Sequence, residues 1–81
     1  MNREELYTAF VDFIHKYYTS NQITHQTRLG KGGLELDSLD TASLLVEFEE
    51  KYNGSFEEDL VDNYICYTID EVLDRFIQKN S

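Results

Sequence analysis

The spacing of apolar residues along the chain predicts an all-α fold. In three long stretches they recur at intervals of three and four, which is the spacing of one buried helix face. The inward positions are Leu6, Ala9, Phe10, Phe13, Ile14 and Tyr17 in helix I, Leu44, Leu45, Phe48 and Tyr52 in helix II, and Ile69, Val72, Leu73, Phe76 and Ile77 in helix IV. A short helix III, from about residue 56 to 63, places Phe56, Leu60 and Val61 inward. Because sustained alternation occurs only at residues 64–67, the sequence predicts a bundle of four helices.

Polar residues mark the predicted helix starts. Each is followed three positions later by a carboxylate that can reach back to the cap, and the pairs are Asn2 with Glu5, Asp37 with Asp40, Ser55 with Glu58, and Thr68 with Glu71. Helix I is expected to end near Thr19 and Ser20. Helix II is expected to run from about Ser38 to Tyr52, where Asn53-Gly54 is a left-handed stop signal.

Residues 20–37 form a long connection between helices I and II. Connections of this length in a small domain are usually functional or disordered. Leu29, Leu34 and Leu36 predict that this loop is pinned to the core. Without proline, repeats or low-complexity sequence to mark a boundary, residues 1–81 are expected to be one domain, and the start at Met1 and the end after helix IV favour a free-standing protein.

The chain is strongly acidic, with a net charge of −9 from 16 acidic and 7 basic residues. This charge excludes nucleic acid and anionic membranes as natural partners and favours proteins with basic patches. Cys66 is the only cysteine, which rules out an intrachain disulfide, and its apolar neighbours predict a buried, inert thiol. The sequence has no signal-peptide pattern, no apolar run long enough to span a bilayer and no metal-ligand spacing. We therefore expect a cytoplasmic monomer that holds no metal.

The candidate chemistry lies in Asp37-Ser38-Leu39-Asp40, at the start of helix II. A serine at a helix start either caps the helix or carries an anionic group, which the unpaired N–H groups and the helix dipole favour. Farther along helix II, Leu39, Ala42 and Val46 form a second stripe that ends among carboxylates. Either that stripe is a docking surface, or Leu39 and Val46 pack beneath the long loop and the carboxylates form a solvated face.

The segment from Leu36 to Thr41, together with the acidic helix behind it, resembles the acyl carrier protein family over most of the chain. The resemblance implies a bundle of four helices with a long loop between helices I and II and a short helix III. It also implies a carrier and not an enzyme: the serine of an Asp-Ser-Leu motif, here Ser38, bears a 4'-phosphopantetheine arm transferred from coenzyme A. Acyl, aminoacyl or ketide cargo would travel on the arm as thioesters.

The resemblance also implies partners and the residues that meet them. The partners would be a phosphopantetheinyl transferase, an acyl- or aminoacyl-loading enzyme, and synthases or transferases with basic docking patches. Helix II is the recognition helix of the family, so the expected partner contacts are Asp37, Leu39, Asp40, Val46, Glu47, Glu49 and Glu50. A candidate acyl pocket between helices II and III would be lined by Leu44, Leu45, Phe48, Leu60 and Val61. Solid core is the alternative, and we favour it because aromatic side chains fill such space.

Several residues depart from the family pattern. Glu35 stands where a glycine is often found, Lys31-Gly32-Gly33 varies the loop, and Ser43 replaces an acid common in fatty-acid carriers. These departures favour a specialised polyketide, nonribosomal-peptide or D-alanyl-transfer pathway over standard fatty-acid synthesis. The alternative function is an acidic helical protein–protein interaction module in which Ser38 is only a helix cap. A serine hydrolase would need His25 as a base close to Ser38, and this chain lacks the Gly-x-Ser-x-Gly elbow of many such enzymes. We therefore do not expect a serine hydrolase.

Overall fold

Three long helices and one short helical segment make up the described part of the chain. The computed structural model describes residues 2–18 and 22–81, apart from the side chain of Val61. The elements are α1 (Arg3–His15), α2 (Ser38–Tyr52), α3 (Leu60–Asn63), a 3-10 turn (Tyr64–Cys66) and α4 (Ile69–Lys79). Within these residues there is no β-strand beyond an isolated bridge between Arg28 and Thr68, which confirms the all-α prediction. None of the described helices has the length and apolar character needed to cross a bilayer.

The core is centred on three phenylalanines, one from each long helix. Phe10 of α1, Phe48 of α2 and Phe76 of α4 are all fully buried. The ring of Phe48 meets Phe10 edge-on at 5.4 Å between centroids and Phe76 edge-on at 4.9 Å. Burial of each such side chain contributes about 1.5–3 kcal/mol to folding. The apolar periodicity therefore predicts the centre of the fold correctly.

Three of the four predicted helix starts are confirmed. Asn2 accepts the N–H groups of Glu4 and Glu5, and Asp37 accepts that of Asp40 at 2.7 Å. Thr68 forms a complete capping box, because Glu71 also accepts the N–H of Thr68. The end of α2 is confirmed too, since the residue after Tyr52, which is Asn53, adopts a left-handed conformation at φ 51°.

The fourth predicted start, Ser55 with Glu58, is wrong. α3 begins only at Leu60, and Asp59 precedes it without a side-chain cap. The backbone at residues 55 and 56 is held by distant side chains: Asn80 bonds both the N–H and the carbonyl of Ser55, Glu49 accepts the N–H of Phe56, and Lys79 donates to its carbonyl. Because these bonds satisfy the backbone in a non-helical conformation, helix III is shorter than predicted.

The end of α1 also differs from the prediction. The regular helix stops at His15, and the N–H groups of Tyr17 and Tyr18 both donate to the carbonyl of Ile14, at 3.0 and 2.9 Å. Tyr17, predicted to point inward, is 40% exposed. The predicted end near Thr19 and Ser20 lies outside the described residues.

The long loop is pinned to the core as predicted. Leu29 and Leu36 are buried, and the N–H of Leu36 donates to the carbonyl of Leu29 at 2.9 Å. Farther back, His25 stacks on Tyr7 at 3.8 Å and its Nδ1 lies 2.7 Å from the Asp70 carboxylate. Burial alone would raise the pKa of Asp70, but hydrogen bonds from His25 and from Arg3 outweigh it and lower that pKa. The loop is thus attached to both α1 and α4.

Cys66 does not follow its prediction. It ends the 3-10 turn and its side chain is exposed. Tyr64, two residues earlier, is the member of this turn that enters the core. An apolar run of four residues therefore does not tell which of its members a single turn buries.

Candidate functional site

Ser38 is the first residue of α2, and its side chain is exposed. The residue that caps the helix is Asp37, which has an extended backbone and accepts the N–H of Asp40. The Ser38 hydroxyl forms no hydrogen bond with any described residue. A serine that only capped the helix would hold the position of Asp37, so the interpretation of Ser38 as the cap is wrong and its hydroxyl is available for chemistry.

The backbone in front of Ser38 is fixed from the core side. The buried hydroxyl of Tyr64 donates to the carbonyl of Leu36 at 2.6 Å. Glu35, the residue before Leu36, has a φ of 55°, a left-handed conformation that favours glycine. The N–H of Glu35 donates to the carbonyl of Gly30 at 3.0 Å, which closes the turn. A strained turn that is closed by backbone hydrogen bonds therefore leads into the exposed serine.

The residues that follow α1 contact α2 close to Ser38 and farther along the helix. The hydroxyl of Tyr18 donates to the Asp40 carboxylate at 2.7 Å, and this bond, with partial burial, raises the pKa of Tyr18. Lys16 lies 3.9 Å from the carboxylate of Glu47. The end of α1 is therefore tied to α2 at two points, about two helical turns apart along α2. Sequence reasoning did not assign Lys16 or Tyr18 to the site, because their contacts depend on how two helices pack.

The outer face of α2 carries an exposed apolar groove. Leu39 is 76% exposed and Val46 is 50% exposed, which is unusual for two large apolar side chains on one helix of a small domain. The groove, which we call the α2 groove, is lined by Tyr17, Leu39, Ala42, Ser43, Val46, Glu47 and Glu50. This arrangement excludes the alternative in which Leu39 and Val46 pack beneath the long loop.

The predicted partner contacts differ in how available they are. Asp37 and Glu50 are exposed, and Asp40 and Glu47 are half-buried beside Tyr18 and Lys16. Glu49 is different, because its carboxylate accepts the N–H of Phe56 at 2.6 Å. Glu49 therefore has a structural role in holding the chain after α2, in addition to whatever it offers a partner.

The residues predicted to line an acyl pocket lie in packed core. Leu44, Leu45, Phe48 and Leu60 are all buried, and the side chain of Val61 lies outside the described residues. The ring of Phe48 has five aromatic neighbours within 6.3 Å between centroids: Phe10, Phe13, Tyr52, Phe56 and Phe76. These rings occupy the volume beside Phe48 that a bound acyl chain would need.

His25 is not positioned as a base for Ser38. Its ring is held between Tyr7, on which it stacks, and Asp70 at the start of α4. General-base activation requires the base within hydrogen-bonding reach of the nucleophile. Ser38 thus presents an exposed hydroxyl at a helix start, bordered by acidic residues and by an apolar groove.

Comparisons of the chain with models of protein families, with curated proteins and with solved structures gave no significant match.

Proposed function

We propose that this protein is an acyl carrier protein that holds its cargo on a 4'-phosphopantetheine arm attached to Ser38. The observation that carries the proposal is the division of roles at the start of α2: Asp37 caps the helix, while Ser38 is exposed and without a bonding partner among the described residues. The function is delivery of acyl, aminoacyl or ketide groups between enzymes in the cytoplasm, with no catalysis by the chain itself.

The surroundings of Ser38 fit an attached phosphodiester. N–H groups in the first turn of a helix have no acceptor within the helix, and together with the dipole they favour an anion by about 0.3–1 kcal/mol. The carboxylates of Asp37 and Asp40 oppose this effect, although both already accept a hydrogen bond. When bound, the arm supplies the thiol on which cargo is carried. The contribution of the chain is a fixed, solvent-facing attachment point.

The turn before Ser38 supports the same proposal. Glu35 occupies the position at which the family often has glycine, and its backbone has the left-handed conformation that glycine adopts most readily. The departure in sequence therefore preserves the backbone geometry that glycine favours. The finer fold belongs to the proposal as well: α3 and the 3-10 turn together would correspond to the short third helix of a four-helix carrier.

The pathway is proposed only as a group of three alternatives. The packed core around Phe48 leaves little space for a long chain, which supports polyketide, nonribosomal-peptide or D-alanyl cargo over the long acyl chains of fatty-acid synthesis. The expected partners are a phosphopantetheinyl transferase, a loading enzyme and synthases with basic docking patches, which the net charge of −9 would attract.

Intact-mass measurement tests the proposal directly. The protein is incubated with coenzyme A, Mg²⁺ and a broad-specificity phosphopantetheinyl transferase, and we expect a gain of one arm. Ser38→Ala should abolish the gain. Ser55→Ala is the matched control, because Ser55 is also an exposed serine but lies outside the α2 groove, and it should be modified as fully as the unchanged protein. No gain under conditions that modify an established carrier would reject the carrier function and leave the acidic interaction module.

A further inference from the structure

Exposed apolar surface is concentrated on one side of the molecule. Four large apolar side chains are notably exposed among the described residues, and three of them, Tyr17, Leu39 and Val46, line the α2 groove. The fourth, Ile65, lies outside it, in the 3-10 turn. Contiguous apolar surface with a polar rim is typical of an interaction site.

Tyr17 belongs to this groove although it is not part of α2. Its backbone is fixed by a hydrogen bond to Ile14, and the residues on either side are attached to α2 through Lys16 with Glu47 and Tyr18 with Asp40. Burial of part of the ring and the nearby Glu47 carboxylate raise the pKa of Tyr17. A tyrosine on a fixed backbone has only its ring torsions left to order, so it loses little conformational entropy when a partner contacts it.

The rim of the groove defines the chemistry of its occupant. Glu47 is near Lys16, whereas Glu50 forms no ion pair with any described residue. An occupant therefore needs an apolar side chain for the groove and a cation for Glu50. A second copy of this chain would bring another net charge of −9 against the same acidic rim, which disfavours self-association.

We propose that the end of α1 is part of the docking surface, with Tyr17 as the wall against which enzymes acting on Ser38 place an apolar side chain flanked by Lys or Arg. The proposal rests on the proposed carrier function. It follows from position, since Leu39 is both the residue after Ser38 and a member of the groove. An enzyme that reaches the Ser38 hydroxyl must cover the groove next to it.

The test measures the steady-state kinetics of arm transfer by the phosphopantetheinyl transferase, with the carrier as the varied substrate. Tyr17→Ser should lower kcat/KM about fivefold or more, mainly through KM, as expected when an aromatic interface contact is lost. Tyr17→Phe should retain nearly full activity, because the ring and not the hydroxyl forms the wall. Ile65→Ser is the matched control, an exposed apolar side chain outside the groove, and should change kcat/KM less than twofold.

Each result decides a separate point. An unmodified wild-type chain would reject the carrier function and this proposal with it. Normal modification of wild type with unchanged kinetics for Tyr17→Ser would overturn only the role of Tyr17, and so would an equal loss in Ile65→Ser. Thermal unfolding of each variant shows whether a loss reflects unfolding. If Tyr17→Ser is unstable, Tyr17→Phe still tests the proposal, because a loss of kcat/KM in a folded Tyr17→Phe would overturn the assignment of the ring as the wall. A dimer in sedimentation that Tyr17→Ser dissociates would place a second copy in the groove and also overturn the proposal.

Discussion

The inner and outer faces of α2 differ sharply, although they alternate along the same 15 residues. On the inner face Leu44, Leu45 and Phe48 are buried in a core that is filled with aromatic rings. On the outer face Leu39 and Val46 are among the most exposed apolar side chains of the described protein. The comparison shows that an apolar residue on this helix serves stability on one side and is left available for recognition on the other.

The largest effect is expected from the inner face. Phe48→Ala removes the ring at which α1, α2 and α4 meet, and should lower the free energy of unfolding by about 3–5 kcal/mol, enough to unfold much of a domain this small. Urea denaturation followed by circular dichroism measures the loss. Phe13→Ala, at the half-buried margin of the same cluster, should cost clearly less. A loss below about 1 kcal/mol for Phe48→Ala would contradict a single packed core.

The next effect concerns the link between the core and the site. Tyr64→Phe deletes the buried hydroxyl that donates to the carbonyl of Leu36, and should cost about 1–2 kcal/mol because that carbonyl loses its partner. Tyr67→Phe is the control, since the hydroxyl of Tyr67 bonds no described residue. Hydrogen exchange should also become faster at Leu34 and Leu36 in Tyr64→Phe. Equal protection of these amides in both variants would show that the Tyr64 bond does not order the segment before Ser38.

A smaller effect, of opposite sign, is expected at Glu35. Glycine adopts a positive φ without the steric cost that a Cβ imposes, so Glu35→Gly should stabilise the protein by about 1 kcal/mol. Glu35→Ala keeps the Cβ and removes only the carboxylate, and it should bring no comparable gain. The same urea series measures both variants. If alanine stabilised as much as glycine, relief of charge repulsion and not of backbone strain would be the cause.

The smallest effect on stability is expected on the outer face. Val46→Ser replaces an exposed side chain, and the free energy of unfolding should change by no more than about 0.5 kcal/mol. Val72→Ser, the same substitution at a fully buried position of α4, should cost about 2 kcal/mol or more. A substantial loss for Val46→Ser would mean that the two faces of α2 are not as distinct as their exposure indicates.

The sequence was most informative where local chemistry decides the structure. Asp37 and Asn53 define both ends of α2 through bonds to their own neighbours, so its bounds could be predicted to the residue. Ser55 carries a similar start signal, but distant residues such as Glu49 and Asn80 bond the backbone there and no helix begins. Local signals predict a helix start only where no tertiary contact competes for the same backbone groups.

The candidate site was predictable in the same uneven way. The exposure of Ser38 at a helix start follows from its place after Asp37, and the exposed stripe of Leu39 and Val46 follows from helical spacing. Tyr17 could not be assigned correctly, because the spacing continues the buried face of α1 while the regular helix has already ended at His15. Which side of the molecule the end of α1 joins depends on its bonds to α2, and these connect residues far apart in sequence.

The bonds between the end of α4 and the residues after α2 have a consequence for any shortened form of the chain. Asn80 holds Ser55 through two hydrogen bonds, and Lys79 holds the carbonyl of Phe56. A form of the chain without residues 79–81 loses all three bonds and keeps Glu49 as the remaining side-chain anchor of this segment. Loss of these residues would thereby loosen the exit from α2, at the opposite end of that helix from Ser38.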